Sequence, residues 1–116
     1  MFLMFSLAGC YYDAVFDEST LVIGKVSFKN DIQPIFDQEC ISCHSGSVEP
    51  DLTAANSFDE LMSLPEGSII PGDAEGSEFF EMLIGAGTNP MPPGGSMSQA
   101  KVNLVKRWID EGALNN

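Results

Sequence analysis

The sequence predicts an all-α domain, and three observations carry that prediction. Apolar residues recur at helical spacing in several short, capped segments. No stretch alternates apolar and polar residues as a half-buried strand does. Long loops rich in Pro and Gly separate the segments. The 116 residues suit one small domain, and a hydrophobic content of 44% allows a core, though a modest one. A domain of this size gains from a staple such as a disulfide, a metal or a cofactor.

Taken in order, residues 11–28 (YYDAVFDESTLVIGKVSF) show no helical period and read as a tether leading into a docked strand or loop. Asn30 or Asp31 can cap a helix through DIQPIFDQECISC. Pro34 falls in its first turn, where a missing N–H does little harm. Ile32, Ile35, Phe36 and Cys40 would form its inner face. SGSVEPDLT is turn-rich. Ser57 and Glu60 match the capping box, which predicts a short helix to about Leu64. PEGSIIPGDAEG is a second loop. SEFFEMLI then forms a helix capped by Ser77 and ended by Gly85, with Phe80, Leu83 and Ile84 facing inward. GAGTNPMPPGGSMS is irregular. SQAKVNLVKRWIDEGAL closes the chain as a helix capped by Ser98, with Val102, Val105, Trp108 and Ile109 on one face and Gly112 at its end.

The formal charge is −12, which argues against nucleic acid or an anionic membrane surface as a direct ligand. No Lys or Arg interrupts the acids between Asn30 and Ala100; the bases are Lys25, Lys29, Lys101, Lys106 and Arg107. Such a surface keeps a protein soluble and can steer a basic partner.

MFLMFSLAGC is apolar but far too short to span a bilayer. It resembles the end of a bacterial lipoprotein signal, in which Leu7-Ala8-Gly9-Cys10 would be the lipobox and Cys10 the lipidated residue. No Lys or Arg precedes the apolar run, unlike the usual basic n-region. The competing reading makes residues 1–9 a buried segment and Cys10 a core thiol. By the resemblance, a lipid on Cys10 holds the protein on the periplasmic side of a membrane. Tyr11, where an Asp would retain it at the inner membrane, favours the outer one. The expected organisation is a signal remnant at 1–9, a tether at 10–25 and a domain at 26–116.

CISCH, residues 40–44, gathers two of the three cysteines and the sole histidine. On a helical turn Cys40, Cys43 and His44 can face one object. Two thiols so spaced can bond the two vinyl groups of one haem while the adjacent imidazole reaches the iron, which is the form of the c-type haem attachment signature. A thiol–disulfide site also uses CxxC, but at a strand-to-helix junction that this chain lacks. A structural zinc site needs four ligands, and only the distant Cys10 remains.

With a single His, a bis-histidine haem is impossible within one subunit. The sixth ligand is then Met, Lys, an N-terminal amine, water or nothing. Met62 and Met82 fall in predicted helices and suit a core role. Met91 sits in NPMPPGG, where flanking prolines stiffen the backbone. Met91 is the preferred ligand, and Met97 in the same loop is the reserve.

Four stretches, VSFKNDIQPIFDQECISCHSG, IIPGDAEGSEFFEML, MPPGG and VKRWIDEGA, occur in that order. As an ordered set they resemble the class I c-type cytochromes, and more narrowly the single-haem cytochrome domains of Bacteroidetes and Planctomycetes proteins, over about residues 26 to 114. The resemblance implies a cytochrome c fold of helices around one covalent haem c. It makes Cys40 and Cys43 the thioether carriers, His44 the proximal ligand and Met91 the distal one. It also implies that the first and last helices cross, with Ile32, Ile35 and Phe36 against Val105, Trp108 and Ile109, and that Leu52, Ile70 and Pro71 line the haem crevice.

The expected function is one-electron transfer outside the cytoplasm with a basic redox partner, without enzymatic turnover of a substrate. The alternative is a ligand-binding or sensory haem domain in which a diatomic gas displaces Met91. A peroxidase-like role is disfavoured because no second His remains as a distal acid/base. Docking as a subunit of a larger oxidoreductase changes the partner but not the chemistry.

Overall fold

The computed structural model describes residues 24–86, 90–93 and 97–116. Within these residues the chain is helical and contains no strand, so the all-α class is correct. Cys10, the signal remnant and most of the tether lie outside the described residues. Among the described residues no helix is long and apolar enough to cross a membrane.

The first helical element starts earlier than its sequence suggests. Ser27 is the cap: its Oγ accepts from the Asn30 N–H (3.1 Å) while Asp31 Oδ2 accepts from the Ser27 N–H (2.7 Å). Two orphan donors are thus satisfied reciprocally, and neither Asn30 nor Asp31 is the cap residue. A π-helical turn, Phe28–Ile32, leads into helix α1, Gln33–Glu39. Pro34 has no N–H to return to Asn30, and beside it the chain closes wider rings: the Ile32 N–H reaches the Ser27 carbonyl at 3.2 Å. The helix ends at Glu39 and not at Cys43.

Helix α2 spans Ser57–Met62 and stops short of Leu64. The expected capping box does not form. Asn56 occupies the cap position, and the Ser57 hydroxyl is fully buried and donates to Gln33 Oε1, while a Glu60 carboxylate oxygen lies 3.5 Å from the Asp51 N–H. Helix α3, Glu78–Leu83, follows Ser77 and ends at Gly85 with φ +74°. Ser77 Oγ donates to the Asp73 carbonyl and accepts from the Ile70 N–H, so it ties the preceding loop and not the helix. Phe79, Phe80 and Leu83 are buried, whereas Ile84, expected inside, is 52% exposed. It follows the last helical turn, where the backbone has left the helical register that would carry it inward.

Helix α4, Gln99–Asp110, matches expectation at both ends. Ser98 Oγ accepts from the Lys101 N–H (3.3 Å), and Gly112 takes φ +114°, a conformation open to Gly at little cost. Val102, Leu104, Val105, Trp108 and Ile109 are buried. One core gathers these residues with Val26, Phe28, Ile32, Ile35 and Phe36. The Phe28 ring lies 5.2 Å from Trp108 and 6.0 Å from Phe36. Lys101 Nζ reaches Gln38 and Glu39, each at 2.8 Å, so the first and last elements meet at both ends. The loop before α3 is pinned to α4 by the Gly72 N–H on the Ile109 carbonyl (2.7 Å) and the Ala74 N–H on Asp110 (2.9 Å). That pinning fixes where Ile70 and Pro71 can lie.

Candidate functional site

The five residues of CISCH follow directly on α1. The Cys40 N–H bonds the Phe36 carbonyl (2.9 Å) and the His44 N–H bonds the Cys40 carbonyl (2.9 Å), so helical spacing persists past the end of α1. Cys40 and His44 therefore lie one backbone turn apart, although Cys40 itself has left the helical region at φ −121°. Cys40 is half-buried against the core, His44 half-buried and Cys43 exposed. Both thiols are free. Burial, reinforced by the Glu39 carboxylate, pushes the Cys40 thiol up to about 11. A redox dithiol needs the opposite shift, because the thiolate is the nucleophile. The third reading of the motif, a structural metal cage, finds no support either: among the described residues no group of three or more His, Cys, Asp or Glu side chains is arranged to hold a metal ion.

The His44 ring is held by main-chain carbonyls. Nδ1 lies 3.0 Å from the Pro50 oxygen and 3.2 Å from the Val48 oxygen. A carbonyl can only accept, so Nδ1 carries a proton, and in the neutral ring the lone pair falls on Nε2. That is the tautomer an axial imidazole needs, with a backbone partner that fixes the ring and raises its donor strength. The loop supplying this partner is closed by the Leu52 N–H on the His44 carbonyl at 2.8 Å. Leu52 itself is 3% exposed and sits in the core.

Met91 is half-buried and packs against the same core that Cys40 borders. Its N–H donates to the Met82 carbonyl (2.9 Å), which moors the Met91 segment to α3. Met97, the reserve ligand, is 7% exposed and packs inside the core beside the start of α4. Ile70 and Pro71 lie on the surface and line a cleft of about 470 Å³ with Leu61 and Met62. Leu52 is not part of that cleft lining. Met62, expected in the core, is 38% exposed and Ile70 is 37% exposed, so the cleft rim is apolar.

The donor set fits a covalently held haem: two unpaired thiols on one helical turn, an imidazole with Nε2 available, and a thioether at the border of the same core. Sequence reasoning missed the Pro50 and Val48 carbonyls and the Met82 carbonyl. Main-chain acceptors carry no residue-type signal. It also missed Gln33, whose only sequence trace is its place on the Phe36–Cys40 stripe of α1. No family model, curated protein or solved structure matches the chain.

Proposed function

We propose that this chain is a one-electron carrier of the class I cytochrome c type, working outside the cytoplasm with one covalent haem c. The observation that carries the reading is the placing of His44: one turn beyond Cys40, with Nδ1–H donating to the Pro50 carbonyl, so that Nε2 is the ring atom directed to a ligand in the neutral imidazole. When bound, the haem supplies a reversible ferric/ferrous couple. Cys40 and Cys43 would hold it through two thioethers, and His44 and Met91 would ligate its iron. Met91 offers a neutral, soft sulfur, which favours the ferrous form and raises the potential. Iron ligated by two of the chain's own side chains would offer no open coordination site to a substrate, which supports electron transfer over substrate turnover. In this reading the helices would wrap the haem on the cytochrome c plan, with Ile70 and Pro71 as exposed apolar walls and Leu52 acting from the core behind the His44 loop.

The acidic surface supports a basic contact face on the redox partner. Each of the three bases on α4 already meets an acid: Lys101 with Glu39, Lys106 with Asp110 and Arg107 with Glu111. The uncompensated charge is therefore negative, and long-range attraction raises the encounter rate with a cationic protein in a salt-dependent way. A lipid on Cys10 anchors the carrier to a membrane facing the periplasm, with the outer membrane favoured.

The test is a pair of spectra from protein exported together with haem-attachment machinery. The expected result is a low-spin, six-coordinate haem in both oxidation states that binds carbon monoxide only slowly. Rapid carbon monoxide binding by the reduced protein would replace the carrier with a gas-binding domain. Colourless protein would refute both.

A further inference from the structure

Gln33, the first residue of α1, is a polar side chain in an apolar face, 6% exposed. Both of its amide hydrogens and its carbonyl oxygen are engaged. Nε2 donates to the Leu52 carbonyl (3.0 Å) and to Asp37 Oδ1 (3.0 Å), and Oε1 accepts from the buried Ser57 hydroxyl. The amide orientation follows from its partners, since a carbonyl and a carboxylate only accept. Gln33 thus links three elements: α1, the loop after CISCH and the first turn of α2. On the far side of the Leu52 residue its N–H holds the His44 carbonyl, and between the two lies Pro50, whose carbonyl holds the His44 ring.

We infer that Gln33 is a positioning residue for His44: its buried amide braces Leu52 and so keeps the Pro50 carbonyl on the imidazole Nδ1–H. The inference rests on the haem reading above, in which the fixed Nδ1 partner orients a ligating imidazole. A brace 19 residues away in sequence is what the loop needs. Its closing bond from Leu52 to His44 sets the loop ends, but nothing in that bond sets the tilt of the peptides between them. A carbonyl that drifts off Nδ1 leaves Nε2 a weaker donor, which favours the ferrous iron and raises the potential.

The experiment uses the haem-bearing protein with Gln33→Met, which keeps side-chain length and removes the donors, and Ser57→Ala, which removes only the group that buttresses the amide from behind. Exchange of the His44 Nδ1 proton, followed by NMR of the reduced protein, is the first readout; the reduction potential is the second. For Gln33→Met, exchange accelerates about tenfold, the equivalent of one ordinary hydrogen bond, and the potential rises. For Ser57→Ala, exchange accelerates about threefold. A folded Gln33→Met protein with wild-type exchange and potential overturns the inference. If Gln33→Met does not fold, Ser57→Ala decides alone, and unchanged exchange in that variant overturns it. Wild-type protein that takes up no haem overturns the haem reading and this inference with it, whereas haem-bearing wild type with unmoved variants overturns only the inference.

Discussion

The segment from His44 to Leu52 and the segment around Met91 border one core but are held in different ways. His44 is bonded at its N–H, its carbonyl and its ring, and Gln33 holds the far end of its loop. Met91 is held through its own N–H on the Met82 carbonyl and by packing against the core. The imidazole side is therefore fixed by directional bonds around the donor atom, and the thioether side by backbone and contact area. A thioether needs less: its sulfur has no proton to place and no tautomer to choose. On the proposed haem reading, the difference places the start of ligand exchange at Met91.

The largest effect comes from breaking the fixed side. His44→Ala removes the donor around which the loop is built, and the six-coordinate low-spin spectrum of the haem-bearing protein is lost; retention of that spectrum would refute His44 as ligand. Loosening the core that both segments share comes next. Phe36 is 1% exposed, and Phe36→Ala lowers unfolding free energy by about 3–5 kcal/mol in a denaturant titration. A loss below about 1 kcal/mol would place Phe36 outside the packing that supports the site.

The compliant side is sharpened by a pair of variants. Met91→Ala lowers the potential by more than about 60 mV, a tenfold change for a one-electron couple, and admits carbon monoxide rapidly. Met97→Ala leaves the potential near wild type but destabilises the fold by about 2–5 kcal/mol, because Met97 is a core residue. Interchanged results in electrochemistry and melting would move the ligand to Met97.

The smallest effect is electrostatic and lies away from both segments. The Lys106 ammonium and the Ala74 N–H hold the Asp110 carboxyl below the usual carboxylate range. A depressed folded pKa means stability that is present above the unfolded carboxylate value of about 4 and is lost as pH falls through the lower folded value. The Asp110 side chain is 38% exposed, so screening keeps the effect within a fraction of about 1 kcal/mol. Asp110→Asn should flatten the acid limb of a stability–pH curve slightly and leave the haem spectrum unmoved.

Legibility in the sequence followed the range of the interactions. The last helix was readable at both ends because Ser98 and Gly112 act on their own neighbours. CISCH stood out because its residue types are rare in this chain and adjacent. The capping box that Ser57 and Glu60 spell does not form because the Ser57 hydroxyl answers Gln33, 24 residues earlier. The first cap lies earlier than Asn30 because Ser27 Oγ takes the Asn30 N–H and Asp31 takes the Ser27 N–H across a wide π-helical turn that no residue pattern announces. Ile84 followed the apolar period one residue past the point where the helix has ended. The tautomer of His44 was not readable at all, since the carbonyls that set it belong to residues whose side chains say nothing about them.

The central claim is that Cys40 and Cys43 are bonded to a porphyrin whose iron His44 ligates. Mass spectrometry of the proteolytic fragment containing residues 40–44, taken from protein matured with haem-attachment machinery and extracted with acidified acetone, tests it directly. The account predicts a fragment that keeps one haem after extraction and carries no free thiol. A fragment with two alkylatable cysteines and no added haem would contradict it.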